Sequence, residues 1–425
     1  YMKAATAYLA GLMQNPSRVL EQQISYWGKT MRHYVDAQQA LASGELRPPE
    51  DTGPKDRRFS NPVWDSNPAF NYLKQQYLFN AEAVQNAVAV MEGIDDHERK
   101  RVDYFSRQIV DMLAPTNFLG TNPDALERAL ETDGESLVRG LENLVSDIEA
   151  NNGEFAVTLA DLEAFVVGEN LATTPGKVVF RNRMLELIQY APSTETVYET
   201  PLLIFPPWIN KFYVMDLKPQ NSLIKWVVEQ GFTVFVVSWV NPDATYADVC
   251  MDDYIREGYL TAMAEVRKIC GVKQINAVGY CIAGTTLSMT IAHLQRAGDE
   301  TVKSATLFTT LTDFSDPGEM GVFLADDFID GISRQVASDG ILSKRFMGKT
   351  FSYLRSNDLI YGPAIKSYML GEAPPAFDLL HWNGDGTNLP GKMAIEYIRD
   401  LCQLNGFARG VFPVFGKPVT LDGVK

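Results

Sequence analysis

Histidine and cysteine are scarce in this sequence, with four of each in 425 residues. Cys250, Cys270, Cys281 and Cys402 form no CxxC pair and have no histidine at metal-ligand spacing, which speaks against a zinc site and fits a reducing cytoplasm. Positive charge is also short. Lys and Arg number 38 against 53 Asp and Glu, and the net charge of −15 leaves no basic face for a nucleic-acid partner. Long apolar runs are missing too. The longest, such as residues 232–240, reach about half of the roughly 18–20 residues that a transmembrane helix needs. No apolar segment with a small-residue cleavage site opens the chain, so no signal peptide is expected. The chain begins at Tyr1 rather than Met, as a fragment would.

What is present describes an ordinary globular protein: 46% apolar, 21% charged, and long enough for two or three domains. Residues 1–172 read as a mostly helical N-terminal domain. Near-helical apolar spacing runs through 17–41, 71–91, 96–113 and 136–150, and a polar, proline-rich loop covers 44–68. Past Pro175-Gly176 the pattern changes. Short β-rich runs at 177–180, 184–190, 201–205, 232–240, 275–278 and 305–310 come to alternate with helical stretches at 221–230, 252–270 and 285–294. That alternation predicts a mostly parallel sheet flanked by helices over 173–425, with chemistry at the carboxyl ends of its strands.

Residues 274–284, Gln-Ile-Asn-Ala-Val-Gly-Tyr-Cys-Ile-Ala-Gly, carry the chemistry. A buried strand runs into Gly279, Cys281 and the small pair Ala283-Gly284, and a helix follows. A nucleophile between small residues on a strand-to-helix turn is the nucleophile elbow of the α/β-hydrolase fold, with Cys in place of Ser. The competing reading of Cys281 is a buried structural thiol. At the start of a helix, free N–H groups and the dipole favour the reactive thiolate. The oxyanion hole is expected to use the backbone N–H of Ile282 and one from the loop after the 201–205 strand, within Trp208, Ile209 and Asn210, with Ile209 taken as the donor. Residues 313–410 lose the alternation and read as a cap, with a loop over 381–391.

Beyond this box, several short motifs recur in a fixed order. They include Asp56-Arg57-Arg58-Phe59, Ala114-Pro115-Thr116-Asn117-Phe118-Leu119, Pro206-Pro207-Trp208-Ile209-Asn210-Lys211, Asp253-Tyr254, and Trp382-Asn383 with Thr387-Asn388-Leu389-Pro390. With these the chain resembles the polyhydroxyalkanoate synthases, most closely class I enzymes that polymerise short-chain 3-hydroxyacyl-CoA. One departure is Ala283, where the family box commonly has Gly. The resemblance implies a covalent Cys281 thioester, release of CoA, and no cofactor beyond the acyl-CoA substrate. It also implies a homodimer and a cytoplasmic location on polyester granules, to which the helical region could contribute.

A thiol nucleophile needs a base and an orienting acid. His33 and His97 lie in the helical region. His293 follows Cys281 by 12 residues on the elbow helix, which at ~1.5 Å per residue puts it roughly 18 Å away. His381 falls in the cap, where the family is commonly aromatic. Asp313, just after the next strand, stands where some members of this fold place the acid, and an N-cap or turn aspartate is the favoured reading. The family's acid and base loops match nothing after Cys281, so the chain reads as stopping short of both. Trp239, Tyr254 and Trp382 read equally as core or pocket lining. Two other functions stay open: a Cys thioesterase or esterase, and a non-catalytic granule-binding protein.

Overall fold

The computed structural model describes residues 16–44, 55–91 and 94–424, with Thr6. Part of the proline-rich loop, 45–54, lies outside these residues. They form two compact units.

The first unit holds the described residues up to Thr158 together with Ser352–Pro374. Its helices are α1 (Pro16–Ser43), α2 (Pro68–Ala89), α3 (Asp96–Met112), α4 (Pro123–Glu131) and α5 (Glu135–Ala150). Two Asn-Pro pairs start helices in the same way. The Asn67 side chain accepts from the Ala69 and Phe70 amides ahead of Pro68, and Asn122 accepts from Ala125 ahead of Pro123. The Asp56-to-Phe59 motif proves structural. Arg58 pairs with Asp56 at 2.7 Å and Asp111 at 2.8 Å, and Phe59 meets Trp64 edge-on at 4.9 Å. The segment 352–374 falls within the span read as cap, yet its bonds run to this helical unit. Tyr104 donates to the Tyr353 carbonyl at 2.9 Å, and Asn143 to the Ser367 carbonyl at 3.1 Å.

The second unit contains a six-stranded sheet of order β1-β2-β4-β3-β5-β6. The strands are β1 (Gly176–Arg181), β2 (Leu185–Tyr190), β3 (Leu202–Phe205), β4 (Val234–Trp239), β5 (Ile275–Tyr280) and β6 (Val302–Phe308). β4, β3, β5 and β6 pair in parallel, as the alternation predicts. β1 and β2 are antiparallel because only a short turn joins them, with no crossover helix. Helices α6 (Leu223–Glu229), α7 (Thr261–Cys270) and α8 (Ile282–Arg296) follow β3, β4 and β5. β4 is buried along almost its whole length, as an apolar run interrupted only by Ser238 requires. β6 at the sheet edge is different: Leu307 is 43% and Phe308 39% exposed.

One element defeats periodicity. The helix read over 252–270 contains a π-helical stretch, Tyr254–Leu260, before α7. There Gly258 lies against the Trp239 ring; an added Cβ would come within 2.6 Å of it. Among the described residues no helix is long and apolar enough to cross a membrane.

Candidate active site

β5 ends at Tyr280 and α8 begins at Ile282, so Cys281 alone makes the turn. Its backbone sits at φ 55°, ψ −129°. A side-chain-bearing residue held there costs of order 1–3 kcal/mol, and such strain collects at functional sites. Three contacts hold it. The Cys281 N–H donates to the Phe308 carbonyl at 2.8 Å, its carbonyl accepts from the Gly284 N–H at 2.9 Å, and Thr310 Oγ1 donates to the same carbonyl at 3.3 Å. The small neighbours are required by space. A Cβ on Gly279 would lie 2.5 Å from Gly284 Cα, and one on Gly284 2.0 Å from Thr310 Oγ1. Ala283 is fully buried with ordinary helical backbone, so the alanine leaves the turn intact.

Cys281, Ile282 and Ile209 line one cavity of about 220 Å³. Ile209 gets there because β3 runs parallel to β5, with Phe205 opposite Gly279, and the loop after β3 emerges beside the elbow. The remaining wall comes mostly from residues 311–351, including Phe314, Phe328, Phe346 and Met347. Tyr397 and Cys402 complete it from a helix late in the chain. Sequence reasoning missed these two, since no motif marks them. The aromatic richness of the cap was the available signal for the rest. So apolar a wall disfavours water in the cavity beside Cys281.

The expectation that helix α8 makes Cys281 a thiolate is corrected here. Burial pushes the thiol above its ordinary value, and the Ile282 amide, which favours the charged form, offsets only part of this. Cys402, more deeply buried, is pushed up to about 12. At neutral pH Cys281 is therefore a neutral thiol that needs a base. Its alkylation by iodoacetamide in this chain should keep rising as pH passes the usual thiol midpoint near 8.5. A rate already level at pH 7 would mean that the helix terminus outweighs burial.

No histidine or carboxylate is part of the cavity wall among the described residues. His33 stacks on Tyr72 at 5.0 Å in the first unit, and His97 is exposed at the start of α3. His293 packs on Phe415 at 4.8 Å. His381 meets Phe165 at 5.2 Å and lies on a short helix, Asp378–Gly384, rather than in the loop read there. Asp313 accepts from the Ser315 N–H at 2.8 Å, the bond of a turn residue, and from the Asn405 side chain at 2.7 Å, which ties that turn to a distant loop. Trp239, Tyr254 and Trp382 lie outside the cavity wall. Trp239 donates to the Pro206 carbonyl at 2.8 Å and Trp382 to the Lys211 carbonyl at 2.9 Å.

Comparison with known proteins places the chain in a family. A poly(3-hydroxyalkanoate) polymerase of Methylorubrum extorquens is 41% identical over 420 residues, covering 97% of this chain and 68% of the relative. The chain belongs to the poly(3-hydroxyalkanoate) polymerase family. The poly(3-hydroxyalkanoate) polymerase subunit PhaC of Cupriavidus necator is 39% identical over 425 residues, 98% of this chain and 70% of the relative. A family model for the N-terminus of poly-beta-hydroxybutyrate polymerase (PhaC) matches residues 55–227, which include the Arg58 ion pairs and the Trp208-Ile209 loop. Among solved structures, a probable hydrolytic enzyme from Pseudomonas aeruginosa overlaps 50% of this chain and 64% of its own at 11% identity, with a TM-score of 0.29. At that score the fold assignment rests on the sheet order and the elbow.

Proposed function

We propose that this family member polymerises short-chain 3-hydroxyacyl-CoA through a thioester on Cys281. The observation that carries the reading is a strained elbow thiol opening into an apolar cavity. An acyl-CoA is itself a thioester, so transfer to Cys281 is nearly isoenergetic: the Cys281 sulfur bonds the acyl carbon, the carbon–sulfur bond to CoA breaks, and CoA leaves as its thiol. The amides of Ile282 and Ile209 stabilise the oxyanion formed on the way. The hydroxyl of the next 3-hydroxyacyl-CoA then attacks the acyl-enzyme carbonyl in a cavity too apolar to favour water. The new ester bond forms, the carbon–sulfur bond to Cys281 breaks, and the hydroxyl proton returns the sulfur to its thiol. The lengthened chain, held on the CoA of the incoming unit, is passed back to Cys281 by the same thioester exchange. The acyl-CoA is the substrate, and the reading calls for no separate cofactor.

The reading needs a base and an orienting carboxylate, and it assigns both to sequence outside the described residues. The exposed edge of β6 supports this, because a parallel strand added there would bring its carboxyl end beside the elbow. Granule contact and a homodimer at a cytoplasmic polyester surface belong to the same proposal. The exposed Ile24, Trp27 and Met31 on α1 support a contact of that kind.

The test is product analysis of the complete protein with 3-hydroxybutyryl-CoA. Polyester and free CoA are expected. Free hydroxy acid with no polymer would make the protein a thioesterase, and no CoA release at all would make it a binding protein.

A further inference from the structure

A buried hydrogen-bond chain joins the two residues to which the oxyanion amides are assigned. The Trp208 indole Nε1–H donates to Thr286 Oγ1 at 3.1 Å. Thr286, one turn into α8, donates in turn to the Ile282 carbonyl at 3.2 Å. Trp208 precedes Ile209 in sequence, so the chain runs from one proposed donor residue to the other. Trp208 and Thr286 are both fully buried, and the indole is held edge-on to Tyr397 at 5.2 Å and against Tyr254 at 5.9 Å. The same loop is tied to other elements as well: the Pro206 carbonyl accepts from Trp239, the Ile209 carbonyl from the Thr387 N–H at 3.2 Å, and the Lys211 carbonyl from Trp382, while the Trp208 indole ties it to α8. The nearby Tyr259 hydroxyl anchors the same helix turn from the opposite element, donating to the Ala283 carbonyl at 2.8 Å.

We propose that Trp208 and Thr286 are positioning residues that set the spacing of the Ile209 and Ile282 amides across the oxyanion hole. Neither touches the reacting atoms. Their effect is on the tetrahedral oxyanion, where a donor displaced by about 1 Å costs on the order of 100-fold. The inference rests on the reading above, in which Cys281 attacks a thioester carbonyl.

Two reactions of the same sulfur separate this role from mere packing. Acylation passes through an oxyanion: Cys281–SH and an acyl-CoA give the Cys281 thioester and CoA–SH. Alkylation by iodoacetamide is a displacement at saturated carbon with loss of iodide, and it needs no oxyanion hole. Trp208→Phe keeps the bulk of the ring and removes the donor. In the complete protein we expect it to slow acylation by 3-hydroxybutyryl-CoA by about 10–100-fold, mostly in kcat, with the alkylation rate within about twofold of the parent. Thr286→Val, at the other end of the bond, should give the same split. The double variant should be no slower than the slower single one, because both cut one chain. Thr286→Ser, which keeps the hydroxyl, should restore the parent rate.

Acylation at the parent rate in both single variants would overturn the proposal. So would an equal fall in acylation and alkylation in Thr286→Val, which reports a displaced Cys281 rather than a misplaced amide. If Trp208→Phe fails to fold, the Thr286 pair decides alone. A parent protein that alkylates at Cys281 and is never acylated would instead refute the thioester reading.

Discussion

Cys281→Ala should abolish acyl-enzyme formation and CoA release while leaving the fold in place. Loss of a nucleophile that acts as part of a unit lowers turnover by on the order of 10⁴–10⁶-fold. The fold survives because the turn is held by the backbone: the Cys281 N–H and carbonyl make the bonds to Phe308 and Gly284, and alanine retains both. Alanine also retains the strain, since φ 55° is unfavourable for any residue with a Cβ. Cys281→Gly removes it, and its unfolding free energy should exceed that of the alanine variant by about 1–3 kcal/mol. Urea unfolding of the two variants checks the second statement, and CoA release checks the first. Retained turnover in Cys281→Ala would remove the thiol from the mechanism. Equal stability of the two variants would mean that the elbow is unstrained.

Gly279→Ala should damage both stability and activity although it adds one methyl group. The new Cβ would meet Gly284 Cα at 2.5 Å, Gly284 N at 3.0 Å and Leu287 Cδ2 at 3.1 Å. Two of these are backbone atoms of α8, so relief requires the helix to move away from β5. Overpacking of this kind costs about 1–3 kcal/mol. Moving the helix also moves the Ile282 amide, and kcat should fall about 100-fold for a shift near 1 Å. A control lies at Gly348, where an added Cβ meets nothing within 4 Å. Gly348→Ala in its helix should be neutral or stabilising by up to about 1 kcal/mol. Thermal unfolding and steady-state kinetics on the two variants separate a local clash from a general effect of losing glycine.

The elements of the second unit were legible because each carries its own signal. The run 232–240 has only Thr233 and Ser238 as polar residues, too few for a solvent face, and its residues 234–239 form β4, buried along almost the whole strand. The elbow was legible for a stronger reason: its small residues answer to backbone contacts that any chain making this turn must meet. Gly279 and Gly284 face each other at a distance that admits no side chain. Asn122 likewise announces a helix start through a bond to the Ala125 amide, whereas the start at Asn67-Pro68 lies in the stretch read as a loop over 44–68.

What stayed hidden depends on distance in sequence. Phe314, Phe346 and Tyr397 meet Cys281 at one cavity through packing that no local pattern encodes. The bond from Trp208 to Thr286 spans 78 residues. The π-helical stretch at Tyr254–Leu260 has nearly the apolar spacing of an α-helix, and the Gly258–Trp239 contact that accompanies it is tertiary. The protonation of Cys281 was misjudged for a similar reason. The helix terminus is visible in sequence, whereas the burial that outweighs it is a product of tertiary packing.

The central claim is that Cys281 carries the acyl group, and the most direct measurement is peptide mass spectrometry of the complete protein quenched in acid shortly after mixing with 3-hydroxybutyryl-CoA. The account predicts one hydroxylamine-sensitive acyl adduct on the peptide containing Cys281. Turnover that leaves this peptide unmodified, with the adduct on another residue or on none, would contradict it.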